Sequence, residues 1–405
     1  MKAPKSLSQG RTYLAIPGPS VMPDAVLQAM HRASPNIYEG ELVEMMPALM
    51  ADLKKVARTQ HHVAMYIGNG HAAWEASLAN VLAPGDAVLV PATGRFGHGW
   101  GETARCQGAE VHTIDFGLKS PMDMDRIAAA LAEDAAHRIK AVLAVHVDTS
   151  TSIRNDIAGL RATLDAAGHP ALLMADCIAS LGCDPFEMDA WSVDVMVTGC
   201  QKGLMTPAGV SFVFFNDRAA AARDRLERVS WYWDWKPRAA PEFFYQYHGG
   251  TAPTQHIYGL RAALDLIHAE GMENVWARHR LLAQAVWAAC EAWSAQGPFE
   301  LNVADRAHRS TAVTALKLGN PAGKQLRAWC EHQIGLTLGI GLGMSEPGDP
   351  QGDGFFRFGH MGHVNGQMIM GLLGGVDAGL KALGIDHGRG ALEAAAHAIA
   401  AVEPK

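Results

Sequence analysis

The chain has 405 residues, 49% of them apolar and 19% charged, a composition that fills a sizeable core and excludes a mostly disordered polymer. A formal net charge of −7 leaves no basic field to grip nucleic acid. No apolar run approaches the roughly 20 residues that span a bilayer, and the polar N-terminus lacks the apolar stretch of a signal peptide, so a cytoplasmic protein of two or three domains is expected.

Residues 1–22 read as an N-terminal arm containing Pro17-Gly18-Pro19. From about residue 60 the pattern alternates. Strands are predicted over 63–67, 87–91, 110–115, 141–146, 171–175, 193–198 and 210–215. Helices are predicted over 71–82, 96–107, 123–134 and 157–167. Apolar strands alternating with helices argue for an α/β domain built on a mostly parallel sheet, buried on both faces. After residue 216 the texture changes. A run of Trp and Tyr at 231–235 leads into a Pro- and aromatic-rich stretch, and a long helical pattern from 254 to about 293 breaks at Gly271. Strands over 311–318 and 355–358 and helices over 322–333 and 366–383 then suggest a smaller α+β domain. The predicted division is a large domain over 23–275 and a small one over 276–405. Gly339, Gly341 and Gly343 read as a loop before Arg357. Six cysteines, at 106, 177, 183, 200, 290 and 330, form no CxxC pair and read as reduced core thiols.

The chemistry-bearing residues cluster where strands end. Asp176 follows the apolar run 171–175, and Lys202 follows the run 193–198. Ligands of open α/β sheets bind at the carboxyl ends of the strands, so both side chains would project from the binding edge. A carboxylate beside a lysine there suits pyridoxal phosphate: the lysine attaches the cofactor, and the carboxylate keeps its ring nitrogen protonated. The plain alternative is a surface Asp and a surface Lys. Gly68-Asn69-Gly70-His71, between a strand and a helix, lets backbone N–H groups approach a phosphate. The same string begins a dinucleotide fingerprint, but the next strand ends at Pro91, where that motif needs an acid for the ribose. Phe96 follows a strand end and could stack on a flat ring or belong to the core. The polar run 146–151 could hydrogen-bond a cofactor or cap a helix. Arg357 sits in an apolar strand, where it is either held for a substrate carboxylate or paired internally.

In this order the features resemble the class V aminotransferases, and among them the serine–glyoxylate and alanine–glyoxylate branch. The resemblance runs from Pro17-Gly18-Pro19-Ser20 to about Ile385. Its most specific stretches are 168–173, 191–195, Gln201-Lys202-Gly203-Leu204-Met205, Tyr232-Trp233-Asp234-Trp235 and Arg357-Phe358-Gly359-His360-Met361-Gly362. It implies a fold-type I enzyme dependent on pyridoxal phosphate, with no metal. The activity would move an amino group from serine or alanine to glyoxylate or pyruvate by a ping-pong mechanism. Lys202 would carry the cofactor and shuttle the proton. Asp176 would pair with the ring nitrogen, Phe96 and Ile178 would cover the ring's two faces, and Thr149 would bond its phenolic oxygen. Gly70, His71 and Gln201 would hold the phosphate, with Thr251 reaching in from a second subunit. Arg357 would bind the α-carboxylate, and Gly18 and Tyr38 would border the substrate. The implied assembly is a homodimer with its site at the interface, or a tetramer of such dimers.

Four departures from the family pattern surround the substrate. The usual Tyr-Thr-Pro-Ala-Thr is Gly250-Thr251-Ala252-Pro253-Thr254, which leaves Tyr247 and His248 as candidates for the displaced tyrosine. The usual Asp-His-Arg-Gly segment is Asn36-Ile37-Tyr38-Glu39-Gly40. Asn69 replaces a hydroxyl residue, and the loop 344–354 is longer and more acidic. A different amine donor (an aminophosphonate, pyridoxamine or a β-amino acid) therefore stands as the alternative. A desulfurase is disfavoured, because Gln201 rather than histidine precedes the lysine.

Overall fold

The computed structural model describes Pro4 and residues 6–402. The elements begin with β1 (Tyr13–Ala15), α1 (Asp24–Met30), α2 (Glu41–Ala57), β2 (His62–Gly68), α3 (Gly70–Ala79), β3 (Ala87–Ala92), α4 (Arg95–Cys106) and β4 (Glu110–Asp115). Next come α5 (Met124–Glu133), β5 (Ile139–Val145), β6 (Val147–Asp148), β7 (Ile153–Arg154), α6 (Ile157–Ala166), β8 (Leu172–Asp176), β9 (Val195–Gly199), β10 (Gly209–Phe215), α7 (Asp217–Asp224) and α8 (Lys236–Ala239). Then follow α9 (Thr254–Glu270), α10 (Met272–Ser294), β11 (Glu300–Leu301), β12 (Val313–Lys317), α11 (Ala322–Ile334), β13 (Leu336–Ile340), β14 (Phe355–Gly359), α12 (Gly366–Ala382) and α13 (Ala391–Ala400).

Seven strands form the large sheet, in the order β2-β10-β9-β8-β5-β3-β4. Their side chains alternate between two apolar cores. Met65, Leu89, Leu173 and Phe212 face one side, under α1, α2, α5, α6 and α9. Tyr66, Val88, Met174 and Val213 face the other, under α3, α4 and α7. Both faces being covered, β3, β8 and β9 are buried along their whole length, which explains their unbroken apolar sequence. β10 runs antiparallel to both β9 and β2, the exception in the mostly parallel sheet that was expected. The reason is chain length. Only residues 200–208 join β9 to β10, and a parallel crossover needs a dozen or more.

The strand order reverses between β3 and β5. From β3 the chain leads outward to β4; from β5 it leads the opposite way to β8. The two connections diverge at the carboxyl ends and open a crevice, the position at which such sheets bind ligands.

A second sheet has the order β1-β13-β14-β12-β11. Of the three glycines that read as a loop, Gly339 lies inside β13, and Gly341 and Gly343 lie beyond it. The arm supplies β1, parallel to β13, so residues near the N-terminus are built into the C-terminal sheet. α10 serves both bodies: Met272, Val275 and Trp276 pack in the large core, and residues from Leu282 onward pack in the second. At the break before α10, Arg278 holds Glu270 with both prongs (2.6 and 2.9 Å) and donates to the carbonyls of Gly362 (3.1 Å) and Val364 (2.9 Å). Buried His279 accepts the Gly362 N–H through Nε2 at 3.0 Å.

Arg278→Met would leave a carboxylate and two carbonyls without their donor, for an expected loss of about 1–3 kcal/mol. The check is the denaturant midpoint at unchanged slope. Arg278→Lys should recover little of it, because an ammonium cannot span four acceptors.

Candidate active site

Connections from five strands, β2, β3, β5, β8 and β9, meet at the crevice. β8 ends in Asp176, whose carboxylate is nearly fully buried. Its Oδ2 accepts the Trp74 indole N–H at 2.8 Å, and Oδ1 accepts the Ile178 backbone N–H at 2.7 Å. Burial dominates over these two bonds and pushes the carboxyl up to about 7. Lys202 stands on the link between β9 and β10. Its Nζ donates to the Pro17 carbonyl of the arm. Gly18 has φ +95°, and a Cβ there would lie 2.5 Å from the end of the lysine side chain, so only glycine lets the arm pass. Ser20 fastens the same contact, its N–H to the Gln201 carbonyl (2.9 Å) and its Oγ to the Lys202 carbonyl (2.7 Å). Burial, and then the charge of Arg357, bring the lysine amine down to about 8.

The polar run after β5 divides its labour. Asp148 Oδ2 accepts the Phe96 N–H (2.9 Å), and Ser150 Oγ accepts the Arg95 N–H (3.1 Å), so these two residues cap α4 and fix Phe96. Thr151 Oγ1 donates to the Thr93 carbonyl at 3.1 Å. Thr149 lines the cavity. Its carbonyl accepts Arg357 Nη1 at 2.7 Å, while Arg357 Nε donates to the Ile340 carbonyl, also at 2.7 Å. Among the described residues no carboxylate comes within ion-pair distance of Arg357, so the internally paired alternative is not what the strand holds. Burial lowers this guanidinium to about 10.

A cavity of ≈160 Å³ opens beside Asp176 and Lys202, and Arg357 and Gly18 are not among the residues that line it. Lys202 and Asp176 line it together with Phe96, Thr149, Ile178, Gln201, Gly70 and His71. Asn69 Oδ1 caps α3 by accepting the His71 N–H at 3.0 Å, which turns the N-terminus of that helix toward the cavity. Tyr38 and Thr251 are exposed and line none of the cavities beside Lys202 in this chain. Tyr38 is the extreme case at 87% exposure.

Sequence reasoning missed Trp74 and the Pro17 carbonyl, and read Asp148 only as a member of the polar run 146–151. Trp74 had a signal. It is a bulky indole in an otherwise small-residue helix, one turn beyond the Gly-Asn-Gly corner, and its ring packs edge-on to His71 with centroids 4.6 Å apart. A backbone carbonyl such as that of Pro17 has no signature in sequence.

The aminotransferase class-V family model matches residues 12–347. The serine–glyoxylate aminotransferase of Methylorubrum extorquens is 33% identical over 388 residues, 94% of this chain and 92% of its own. The L-aspartate–glyoxylate aminotransferase of Paracoccus denitrificans is also 33% identical, over 88% of this chain and 87% of its own. The crystal structure of ureidoglycine–glyoxylate aminotransferase from Bacillus subtilis aligns with a TM-score of 0.84 at 25% identity, covering 96% of this chain and 98% of its own. The family match includes every residue that lines the Lys202 cavity, and the chain belongs to the class V aminotransferases.

Proposed function

We propose that this aminotransferase uses pyridoxal phosphate to move an amino group from a small amino acid, serine or alanine, to glyoxylate or pyruvate. The observation that carries the reading is one cavity with a neutralisable lysine amine and a buried carboxylate on its walls.

The residues present fit the cofactor. Gln201 Oε1 is buried without a partner, a polar group left for a ligand to satisfy. A Cβ at Gly70 would lie 2.3 Å from Ile178 Cδ1, so glycine there keeps the floor of the cavity open. The N-terminus of α3 and the Gln201 amide suit a phosphate, with Thr251 of a second copy completing the cup. Asp176 suits the ring nitrogen, Phe96 and Ile178 the two ring faces, and Thr149 the phenolic oxygen. When bound, pyridoxal phosphate supplies an aldehyde that exchanges with the amine and a ring that accepts the electron pair released at Cα.

The chain's own groups do the rest. Arg357 Nη2 is available to the substrate α-carboxylate, because carbonyls already hold Nε and Nη1. That contact orients Cα toward Lys202. Neutral Lys202 Nζ takes the Cα proton and would deliver it to the carbon that carried the cofactor's aldehyde, so that the amino group stays with the cofactor and the substrate leaves as a keto acid. The Pro17 carbonyl fixes the amine between transfers. The names of the relatives share glyoxylate as acceptor and differ in donor, so glyoxylate is the firmer half of the assignment.

Exposed Trp231, Phe243 and Tyr245 precede the Thr251 segment in the chain. A second copy is proposed to cover them, bringing its Thr251 and Tyr38 to this cavity.

Three results are expected. Lys202→Ala should lose the holoenzyme absorbance at about 400–430 nm; an unchanged spectrum would refute the assignment. Uptake of pyridoxal phosphate by apoprotein should speed up as pH rises through about 8, because only the neutral amine attacks an aldehyde. A midpoint at the ordinary lysine value of about 10.4 would show that the amine is not tuned. Sedimentation should give at least twice the chain mass, and a fully active monomer would remove the shared-site reading.

A further inference from the structure

Among the described residues, one side chain donates to the buried carboxylate of Asp176. The Trp74 indole N–H reaches Oδ2 at 2.8 Å, and the Ile178 backbone N–H reaches Oδ1 at 2.7 Å. Both partners can only donate, so both bonds favour the ionised carboxylate over the protonated acid. The backbone donor would come with almost any residue at 178. The indole donor depends on tryptophan at 74.

The surroundings aim that indole. Trp74 stands in the second turn of α3, almost wholly buried, with α4 packed against its ring. It stacks on Trp100 with centroids 6.1 Å apart and planes 14° apart, and it meets Phe96 edge-on at 6.3 Å. A Cβ at Gly99 would lie 3.3 Å from Cζ3, so α4 runs close to the indole there. His71 closes the remaining side, edge-on at 4.6 Å. The ring cannot turn without displacing residues placed on the cofactor's ring and phosphate. Trp100 supplies a contrast within the same stack. Its own N–H is buried and, among the described residues, has no partner.

The charges around Asp176 oppose one another. Asp148 acts against its ionisation and Lys202 for it, while burial outweighs both and leaves the carboxyl at about 7. Neighbouring Cys177 stays a thiol, and His71 is held below the ordinary histidine range by burial and the Arg95 charge. A carboxyl this near balance is one at which a single donor decides where a shared proton lies.

We infer that Trp74 is a positioning residue that acts through Asp176: its indole N–H holds the carboxylate ionised, and so keeps the proton they share on the cofactor's ring nitrogen. The inference rests on the transaminase reading above. With the proton on nitrogen the ring draws electrons strongly from Cα. With the proton passed to the Asp176 oxygen the ring is neutral and draws them weakly.

Trp74→Phe removes the N–H and keeps a ring in the stack. Trp100→Phe removes an unpartnered N–H from the same stack and is the packing control. In apoprotein made with isotope-labelled aspartate, the Asp176 carboxyl carbon is identified by its loss in Asp176→Asn. Its titration midpoint should lie about one pH unit or more higher in Trp74→Phe, the tenfold scale of a hydrogen bond to a charged group. It should stay at the wild-type value in Trp100→Phe. In the wild type one indole N–H resonance should move through the same midpoint, a check that needs no stable variant at 74. In holoenzyme loaded with nitrogen-labelled pyridoxal phosphate, the ring-nitrogen signal should shift toward its unprotonated position in Trp74→Phe alone. The half-reaction with serine or alanine should then lose about tenfold in kcat, with KM within about twofold. An Asp176 midpoint or a ring-nitrogen signal that moves no further in Trp74→Phe than in Trp100→Phe overturns the inference, as does a wild type in which no indole resonance follows Asp176. Inertness of every amine in the wild type would instead remove the transaminase reading, and the apoprotein titration would still decide whether Trp74 governs Asp176.

Discussion

Two cations stand close together, and among the described residues neither has a carboxylate in ion-pair contact. Lys202 and Arg357 are close enough for the arginine charge to depress the lysine amine. Burying such a pair is costly unless their N–H groups find acceptors. The fold answers with backbone dipoles. The carbonyls of Pro17, Thr149 and Ile340 receive three of the donors. Those carbonyls come from the arm, the connection after β5, and β13. The site is therefore assembled only when the arm is docked and the second sheet lies against the first. Carbonyls hold the cations without neutralising them, and this leaves them electrostatically available to an anionic substrate.

The rest of the architecture serves that arrangement. The short link between β9 and β10 turns the chain back before a crossover can form, and so hangs Lys202 over the carboxyl edge of the sheet. The reversal of strand order between β3 and β5 opens the crevice beneath it. The arm crosses to the C-terminal sheet as β1 and then passes the lysine at Gly18. α10 belongs to both cores, and the Arg278 clamp ties its start to the segment after β14. Movement between the two bodies would thus be felt directly at Arg357 and at the carbonyl that holds the lysine.

Much of this was legible from residue order. The strands and helices from 63 to 215 follow from apolar runs punctuated by glycine and proline, and most observed bounds fall within two residues of the expected ones. Asp176, Lys202 and Arg357 stand out because each is a charge adjoining or inside an apolar strand. Other features were hidden. α2 carries a good apolar stripe at Leu42, Met46, Leu49, Leu53 and Val56, but Pro47 interrupts its reading as a helix. β13 carries Gly339 where Arg357 and Pro17 crowd it, and with Gly341 and Gly343 just beyond, the end of a strand looks like a loop. The polar run after β5 admitted two roles, and the structure assigns one to Asp148 and Ser150 and leaves the other open to Thr149.

Sequence alone determined the class of fold, the family resemblance and the titratable groups at the strand ends, because those depend on local periodicity and on which side chains are present. Tertiary structure decided what the groups can do. It set Trp74 against Asp176 and the Pro17 carbonyl against Lys202. Each of those facts is a relation between residues far apart in the chain. The protonation of a lysine or an aspartate depends on what surrounds it in space, and no spacing along a sequence records that.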